Sequence, residues 1–229
     1  MVKFVESELE LLKKEILDMC QLVSKQMELA CDAILTLNKE EAQLVIMREK
    51  RVNAFELKID SDVEDIIALY NPVAIDLRFV LAMLKINTNL ERIGDFAESM
   101  GRFVVNYPSD KLNDELIKEL RLNEMMTEVQ SMLFNVQDAL IKEKSDLAIC
   151  VFQQDNTVDE IDKAVLPIIA SHIEKHPEEL RTCLPLANVF RKLERSGDHI
   201  NNIAEEIIFY LDAKVLKHNK TAKMTPEED

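Results

Sequence analysis

Carboxylates at helical spacing are the residues of this chain best suited to chemistry, and the chemistry they suit is the holding of cations. At 100° per residue, Leu77, Leu81, Leu84, Thr88, Glu91, Asp95 and Glu98 fall on one stripe of a helix that begins apolar and ends acidic. Cys183, Ala187, Phe190, Glu194, Asp198, Asn201 and Glu205 repeat that pattern late in the chain. Glu49, Asn53, Glu56 and Asp60 share a face on an earlier helix, as Asp155, Asp159 and Asp162 do on another, so four helices each carry a column of oxygen donors. Like charges at i, i+4 cost a few tenths of a kcal/mol per exposed pair, and more where water is partly excluded. Two kinds of neutraliser are available: Arg92 and Arg195 with basic residues on adjacent helices, or bound cations. An all-oxygen set without His or Cys suits Mg, Ca, Mn or iron better than zinc or copper. The competing reading is four solvated faces laced with salt bridges.

Enzyme chemistry has little to work with. A carboxylate-bridged di-iron centre in a helical bundle wants Glu-x-x-His on two helices. Here Ile169, Ile173, Ser196 and Val215 stand three residues before His172, His176, His199 and His218. The histidines read instead as caps or surface groups, His176 at a helix start and His199 about 140° around its helix from Glu194. No Gly-x-Ser-x-Gly frame and no Gly-rich phosphate loop is spelled.

The elements that must position these columns are long helices. With 3 Gly, 6 Pro and no Trp in 229 residues, the chain lacks the turn residues of a doubly wound or sandwich fold. Apolar spacing from Leu9 to Leu37 gives a first amphipathic helix, and a second runs through Val45, Val52 and Ile59. Asn71-Pro72 reads as an N-cap followed by Pro at the first helical position, opening a third helix to about Val105. Tyr107-Pro108-Ser109-Asp110 is the best boundary. A fourth helix is expected from about Lys111 to Glu143, a fifth from Ser145-Asp146 with a kink at Pro167, and a sixth from His176-Pro177 with an irregular start near Pro185. Six helices of about 30 residues, each ~45 Å long, make an all-α chain.

The chain repeats itself. Leu90-Glu91-Arg92-Ile93-Gly94-Asp95 returns 103 residues later as Leu193-Glu194-Arg195-Ser196-Gly197-Asp198, and Arg78 and Arg181 share that offset. Glu49, Val52, Asn53 and Glu56 match Asp155, Val158, Asp159 and Asp162 at an offset of 106. Two tandem three-helix units follow, each able to bury a core, over residues 1–107 and 108–217, with 218–229 a flexible polar tail. Gly94 and Gly197 hold the same mid-helix slot, where Gly costs about 1 kcal/mol relative to Ala, which predicts a close neighbouring helix.

A net charge of −15 opposes direct contact with nucleic acid or anionic lipid. Cys20, Cys31, Cys150 and Cys183 never pair as Cys-x-x-Cys and read as apolar fillers in a reducing compartment. No leader and no stretch near the ~20 apolar residues of a membrane span is apparent, so a cytoplasmic protein is expected.

On the twin Leu-Glu-Arg-x-Gly-Asp segments, Pro72-Val73-Ala74-Ile75-Asp76-Leu77-Arg78, and the Val52-Asn53 and Val158-Asp159 pairs, the chain resembles the PhoU family of phosphate-signalling proteins over Phe4 to about Lys217. The resemblance implies two tandem three-helix bundles, often dimeric, acting as an accessory regulator without catalysis. It implies partners too, namely the ATPase and permease of a phosphate ABC transporter and a sensor histidine kinase, both restrained when phosphate is plentiful and both drawing the protein to the inner membrane face. Some members bind polynuclear metal clusters through Glu/Asp-x-x-x-Asp motifs, which fall here on Glu91/Asp95 and Glu194/Asp198 with the acids of the second and fifth helices in support. The candidate cations are Fe, Mn, Mg, Ca or Zn. The family pattern continues with Asn and then Glu, kept here as Asn202 and Glu205, but the first repeat has Ser99 and Arg102. An arginine there predicts weaker cation binding in the first bundle unless Glu98 compensates. The alternative on the same resemblance is a metal-free helical interaction module serving another transporter.

Overall fold

The structure, a computed structural model, describes residues 2–215, with side chains from residue 5 onward. Among these the chain is all-α, as expected: α1 Val2–Thr36, α2 Lys39–Tyr70, α3 Ile75–Asn106, α4 Asp114–Glu119, α5 Leu122–Lys142, α6 Ser145–Lys175, a 3₁₀ turn Pro177–Glu179, and α7 Leu180–Asp212. The expected polar tail at His218–Asp229 lies outside the described residues.

Local chemistry sets the breaks, and three of them depart from the sequence reading. Asn71 closes α2 in the left-handed conformation at φ 47°, donating its N–H to Ile67 O, so Asn71-Pro72 is a stop signal and α3 opens only at Ile75. The same dipeptide serves either role because Asn tolerates a left-handed φ and Pro is common just beyond a helix end. The expected fourth helix is two: α4 ends at Leu120, and Arg121 takes φ 56° before α5 begins. Glu124 and Glu160 fix that turn by accepting from the Arg121 guanidinium at 2.7 Å. The irregular start of the last helix is the 3₁₀ turn at Pro177–Glu179, whereas α7 runs on through Pro185 and α6 through Pro167. Side-chain caps open α2 and α4, Asn38 Oδ1 accepting from the N–H groups of Glu40 and Glu41 and Asn113 Oδ1 from that of Leu116.

Helices α1, α2 and α3 pack together, and α5, α6 and α7 repeat the arrangement. The halves join along α3 against α7 and α1 against α5. One contiguous apolar core therefore crosses the seam, from Leu12 and Ile16 through Leu90 and Ile93 to Leu193 and Ile200. That seam explains why α3 buries residues on several faces and why Ile203 to Ile208 are buried without interruption.

Close crossings fall at the glycines. A Cβ on Gly94 would stand 3.0 Å from Val52 Cγ1 and 3.3 Å from Glu49 Oε2, and one on Gly197 would stand 3.0 Å from Asp155 Oδ1. Each repeated glycine thus lets its helix lie directly on the preceding acidic column. Three of the cysteines are buried fillers, burial pushing the Cys20 and Cys31 thiols up to about 12, but Cys150 is exposed. No helix among the described residues is long and apolar enough to cross a membrane.

Candidate functional site

In the first half, α2 and α3 turn their acidic columns toward each other across the Gly94 crossing. Glu49, only 6% exposed, is the innermost group. Gln26 of α1 donates Nε2 to its Oε2 at 2.8 Å, while its Oε1 has no hydrogen-bond partner. Burial, reinforced by Asp95, Glu98 and Glu91, raises the Glu49 carboxyl to about 7. Burial and then Asp95 raise Glu91, and burial and then Asp60 raise Glu56. Arg92 reaches both motif acids, with Nε 3.4 Å from Glu91 Oε2 and Nη1 3.2 Å from Asp95 Oδ2. Arg102 grips Glu98 Oε1 through Nη2 at 2.6 Å and Nε at 3.0 Å. Asn53 is exposed.

The second half repeats the plan with shorter acids. Asp155 lies against Gly197, and burial followed by the neighbouring aspartates raises Glu194 and Asp198 above their ordinary values. Arg191 bridges Asp162 at 3.2 Å and Glu194 at 3.5 Å, and Lys163 pairs with Asp159 at 2.9 Å. Arg195, expected to neutralise the column, lies over the Phe96 ring, 5.0 Å from its centroid, and still acts with Arg191 to lower the Asp198 carboxyl against burial. The direct ion pairs are made by Arg191, three residues before Glu194.

The columns converge only in part. Ten of the thirteen residues singled out by sequence line the two facing pairs. Asn53 is exposed and makes none of the hydrogen bonds described among these residues. Asn202 belongs to the seam between the halves, donating Nδ2 to Asn89 Oδ1 at 3.3 Å. Glu205 is buried two turns beyond Asp198. His199, read as a surface group, is half-buried in the same seam, its Nδ1 2.8 Å from Asn89 Oδ1 and its ring 5.5 Å from that of Phe96. Among the described residues, groups of three His, Cys, Asp or Glu ligand atoms within 4.8 Å of one another occur not on the columns but at the α6–α7 junction.

Sequence reasoning missed Gln26 and Asn87. Asn87 donates to Asp60 Oδ1 at 2.9 Å and to Glu56 O at 3.0 Å, steadying α2 from α3. Both are amides inside otherwise apolar stripes, between Val23 and Ala30 and between Met83 and Leu90, and that interruption is the signal that could have found them.

The donor set fits hard cations. Glu49 Oε1 is a buried oxygen without a hydrogen-bond donor, and the buried Glu91 Oε2 and Glu194 Oε2 have only the longer ion pairs to Arg92 at 3.4 Å and Arg191 at 3.5 Å, a condition that a coordinating cation relieves.

Comparison with known proteins places this architecture. The PhoU domain matches residues 16–104 and again 122–207. The PhoU homolog 1 of Thermotoga maritima is 30% identical over 93% of this chain and 90% of its own length. The Pseudomonas aeruginosa homolog is 31% identical over 96% and 90%. The crystal structure of PhoU from Pseudomonas aeruginosa superposes with a TM-score of 0.83 at 30% identity, covering 91% of this chain and 99% of that one. That of the phosphate transport system regulatory protein PhoU from Streptococcus pneumoniae gives 0.82 at 26% identity, covering 92% and 98%. The tandem all-helical fold is thus a class of protein shared with these relatives, and this chain belongs to the PhoU family.

Proposed function

We propose that the chain is a non-catalytic accessory regulator of a phosphate transport system, acting as a homodimer in the cytoplasm. It restrains the ATPase and permease of a phosphate ABC transporter, and a sensor histidine kinase, while phosphate is plentiful. Support comes from the relatives, named as phosphate-specific transport system accessory proteins, which match nearly the whole chain. The single observation that carries the reading is the duplicated motif in place: Gly94 and Gly197 each seat a Glu-x-x-x-Asp pair against the acids of the preceding helix. Exposed Leu69, Val73 and Ile75 at the α2–α3 turn, each about two thirds exposed or more, supply apolar surface for a partner.

The cation role is part of the proposal. Glu49, Glu56, Glu91, Asp95 and Glu98 would hold an ion in the first half, and Asp155, Asp159, Asp162, Glu194 and Asp198 in the second. When bound, such an ion supplies positive charge that relieves mutual repulsion and ties adjacent helices together. The chain's own residues set the conditions: Gln26 orients Glu49, Arg92 and Arg191 hold part of the negative charge, and the glycines bring the columns into range. Iron, manganese, magnesium or calcium suit these oxygens better than zinc does. The ion pairs of Arg92, Arg102, Lys163 and Arg191 favour a second reading, in which the columns stay metal-free and dock a basic partner surface for this or another transporter.

The test is genetic and direct. Cells lacking this chain should express a phosphate-starvation reporter in phosphate-rich medium, and wild type should silence it. Glu91→Ala/Asp95→Ala/Glu194→Ala/Asp198→Ala, accumulated to the same level, should fail to do so. A reporter indifferent to deletion of the chain would sink the regulatory reading.

A further inference from the structure

The junction between α6 and α7 gathers groups that the columns do not use. His172 in the last turn of α6, Glu179 at the end of the 3₁₀ turn and Cys183 in the first turn of α7 bring an imidazole nitrogen, a carboxylate oxygen and Sγ within 4.8 Å of one another. His172 Nε2 and Glu179 Oε2 are 3.0 Å apart. Cys183 is 1% exposed, and burial raises its thiol. Glu179 takes no Lys or Arg partner among the described residues. Its other contact is Asn113 Nδ2 at 3.1 Å, from the residue that caps α4. Outside this inner trio, His176 stacks on His172 at 4.8 Å between centroids and forms a second trio with Glu178 and the shared Glu179. A cavity of about 300 Å³ lies alongside, lined by Tyr107, Asn113, Glu179, Thr182 and Cys183.

We propose that this junction is a zinc-type transition-metal site whose ligands are His172 Nε2, a Glu179 carboxylate oxygen and the Cys183 thiolate. The donor chemistry separates it from the acidic columns. One imidazole, one carboxylate and one thiolate form a borderline-soft set, where the columns offer only hard oxygen. One thiolate and one carboxylate also balance the charge of a divalent ion. The sequence spells the ligands compactly as His172-x3-His176-x2-Glu179-x3-Cys183, so that a short turn delivers them from one helix end to the next. Binding releases the thiol proton to solvent and places the imidazole proton of His172 on Nδ1, leaving Nε2 free to ligate. Three protein ligands leave a fourth position for water or for His176, which faces solvent and offers the ion its way in. Through Asn113, the bound ion would also fix the segment that joins the two repeats.

Cobalt reads this site without interference from the columns, because only a thiolate ligand gives the sulfur-to-cobalt charge-transfer band. On the full chain, chelator-treated and reduced, one equivalent of Co²⁺ should produce that near-ultraviolet band with the visible bands of a tetrahedral ion, and one equivalent of Zn²⁺ should remove them. Cys183→Ser should abolish the charge-transfer band, and Cys150→Ser should leave it. His172→Gln should weaken Co²⁺ binding by about tenfold or more with unchanged far-ultraviolet circular dichroism. No charge-transfer band in the wild type, or one that survives Cys183→Ser, overturns the proposal. Should Cys183→Ser not fold, an unchanged Co²⁺ affinity in His172→Gln overturns it alone. Repeated in Glu91→Ala/Asp95→Ala/Glu194→Ala/Asp198→Ala, which removes competition by the columns, the same titration separates failure of this site from failure of the regulatory role.

Discussion

The two acidic column pairs descend from one repeated pattern yet solve its repulsion differently. In the first half, the long Glu49 is buried against Gly94, stays protonated toward neutral pH, and rests on an amide of α1. In the second, Asp155 takes its place, and Arg191 holds Asp162 and Glu194 at the outer edge. Arg102 grips Glu98 in the first half, whereas the aligned position in the second is the acid Glu205. Duplication preserved the backbone crossing and let the electrostatics diverge: the first half has the more desolvated acid, and each half places its fixed cations differently, Arg92 and Arg102 on α3 in one and Arg191 on α7 with Lys163 on α6 in the other.

The sharpest way to probe that difference is at the glycines. Ala gains about 1 kcal/mol over Gly from helix propensity, so the sign of each change depends on what the new methyl meets. At Gly101 it would stand 2.9 Å from the backbone oxygen of Ala42, which cannot step aside, and Gly101→Ala should lose about 2–3 kcal/mol. Gly94→Ala meets the stiff Val52 side chain and should lose about 1–2 kcal/mol. Gly197→Ala meets the movable end of Asp155 and should be neutral to within about 1 kcal/mol. Chemical denaturation of the three variants checks the order, and equal losses at Gly94 and Gly197 would erase the contrast.

Next in size is the titration of Glu49. An unfolded glutamate ionises near its ordinary 4.5 and this folded one near 7, so between those values the folded state holds an extra proton and stability falls as pH rises. Glu49→Gln removes that slope, and its amide can donate to Gln26 Oε1, which has no donor in the wild type. The variant should match wild type near pH 5 and exceed it by about 2 kcal/mol near pH 8. Melting curves across that range decide it, and a variant less stable at the higher pH would show that Glu49 is not desolvated as described.

The helices and their repeat were legible in sequence because period and motif are local properties of α1 to α7. What was hidden came from tertiary contact. The α3–α7 seam recruits His199 and Asn202, which helical geometry alone placed at the surface or on a column. Arg195 and Arg191 differ by one turn of α7, and the place of Phe96 under Arg195, which leaves the direct ion pairs to Arg191, is a tertiary fact. Asn71-Pro72 suits either end of a helix, and the break at Leu120-Arg121, inside the expected fourth helix, has no breaker residue and is set by the neighbours Glu124 and Glu160.

A smaller effect bears on cation affinity. Arg102→Gln frees Glu98 and should raise the affinity of the first columns for Mn²⁺ by about tenfold, bringing it toward that of the second. Calorimetry in a background of Glu194→Ala/Asp198→Ala isolates the first half. No change would mean that Arg102 does not set the difference.

The central claim is that the paired columns are cation sites, and the most direct test is the metal content per chain. Untagged protein purified without chelator, alongside Glu194→Ala/Asp198→Ala and Cys183→Ser, would be assayed by mass spectrometry. Stoichiometric metal in the wild type and in Cys183→Ser, falling in the double carboxylate variant, is the predicted result. Folded wild-type protein that carries no metal, or whose metal is untouched by loss of both carboxylates, would contradict the claim and leave the columns as docking faces.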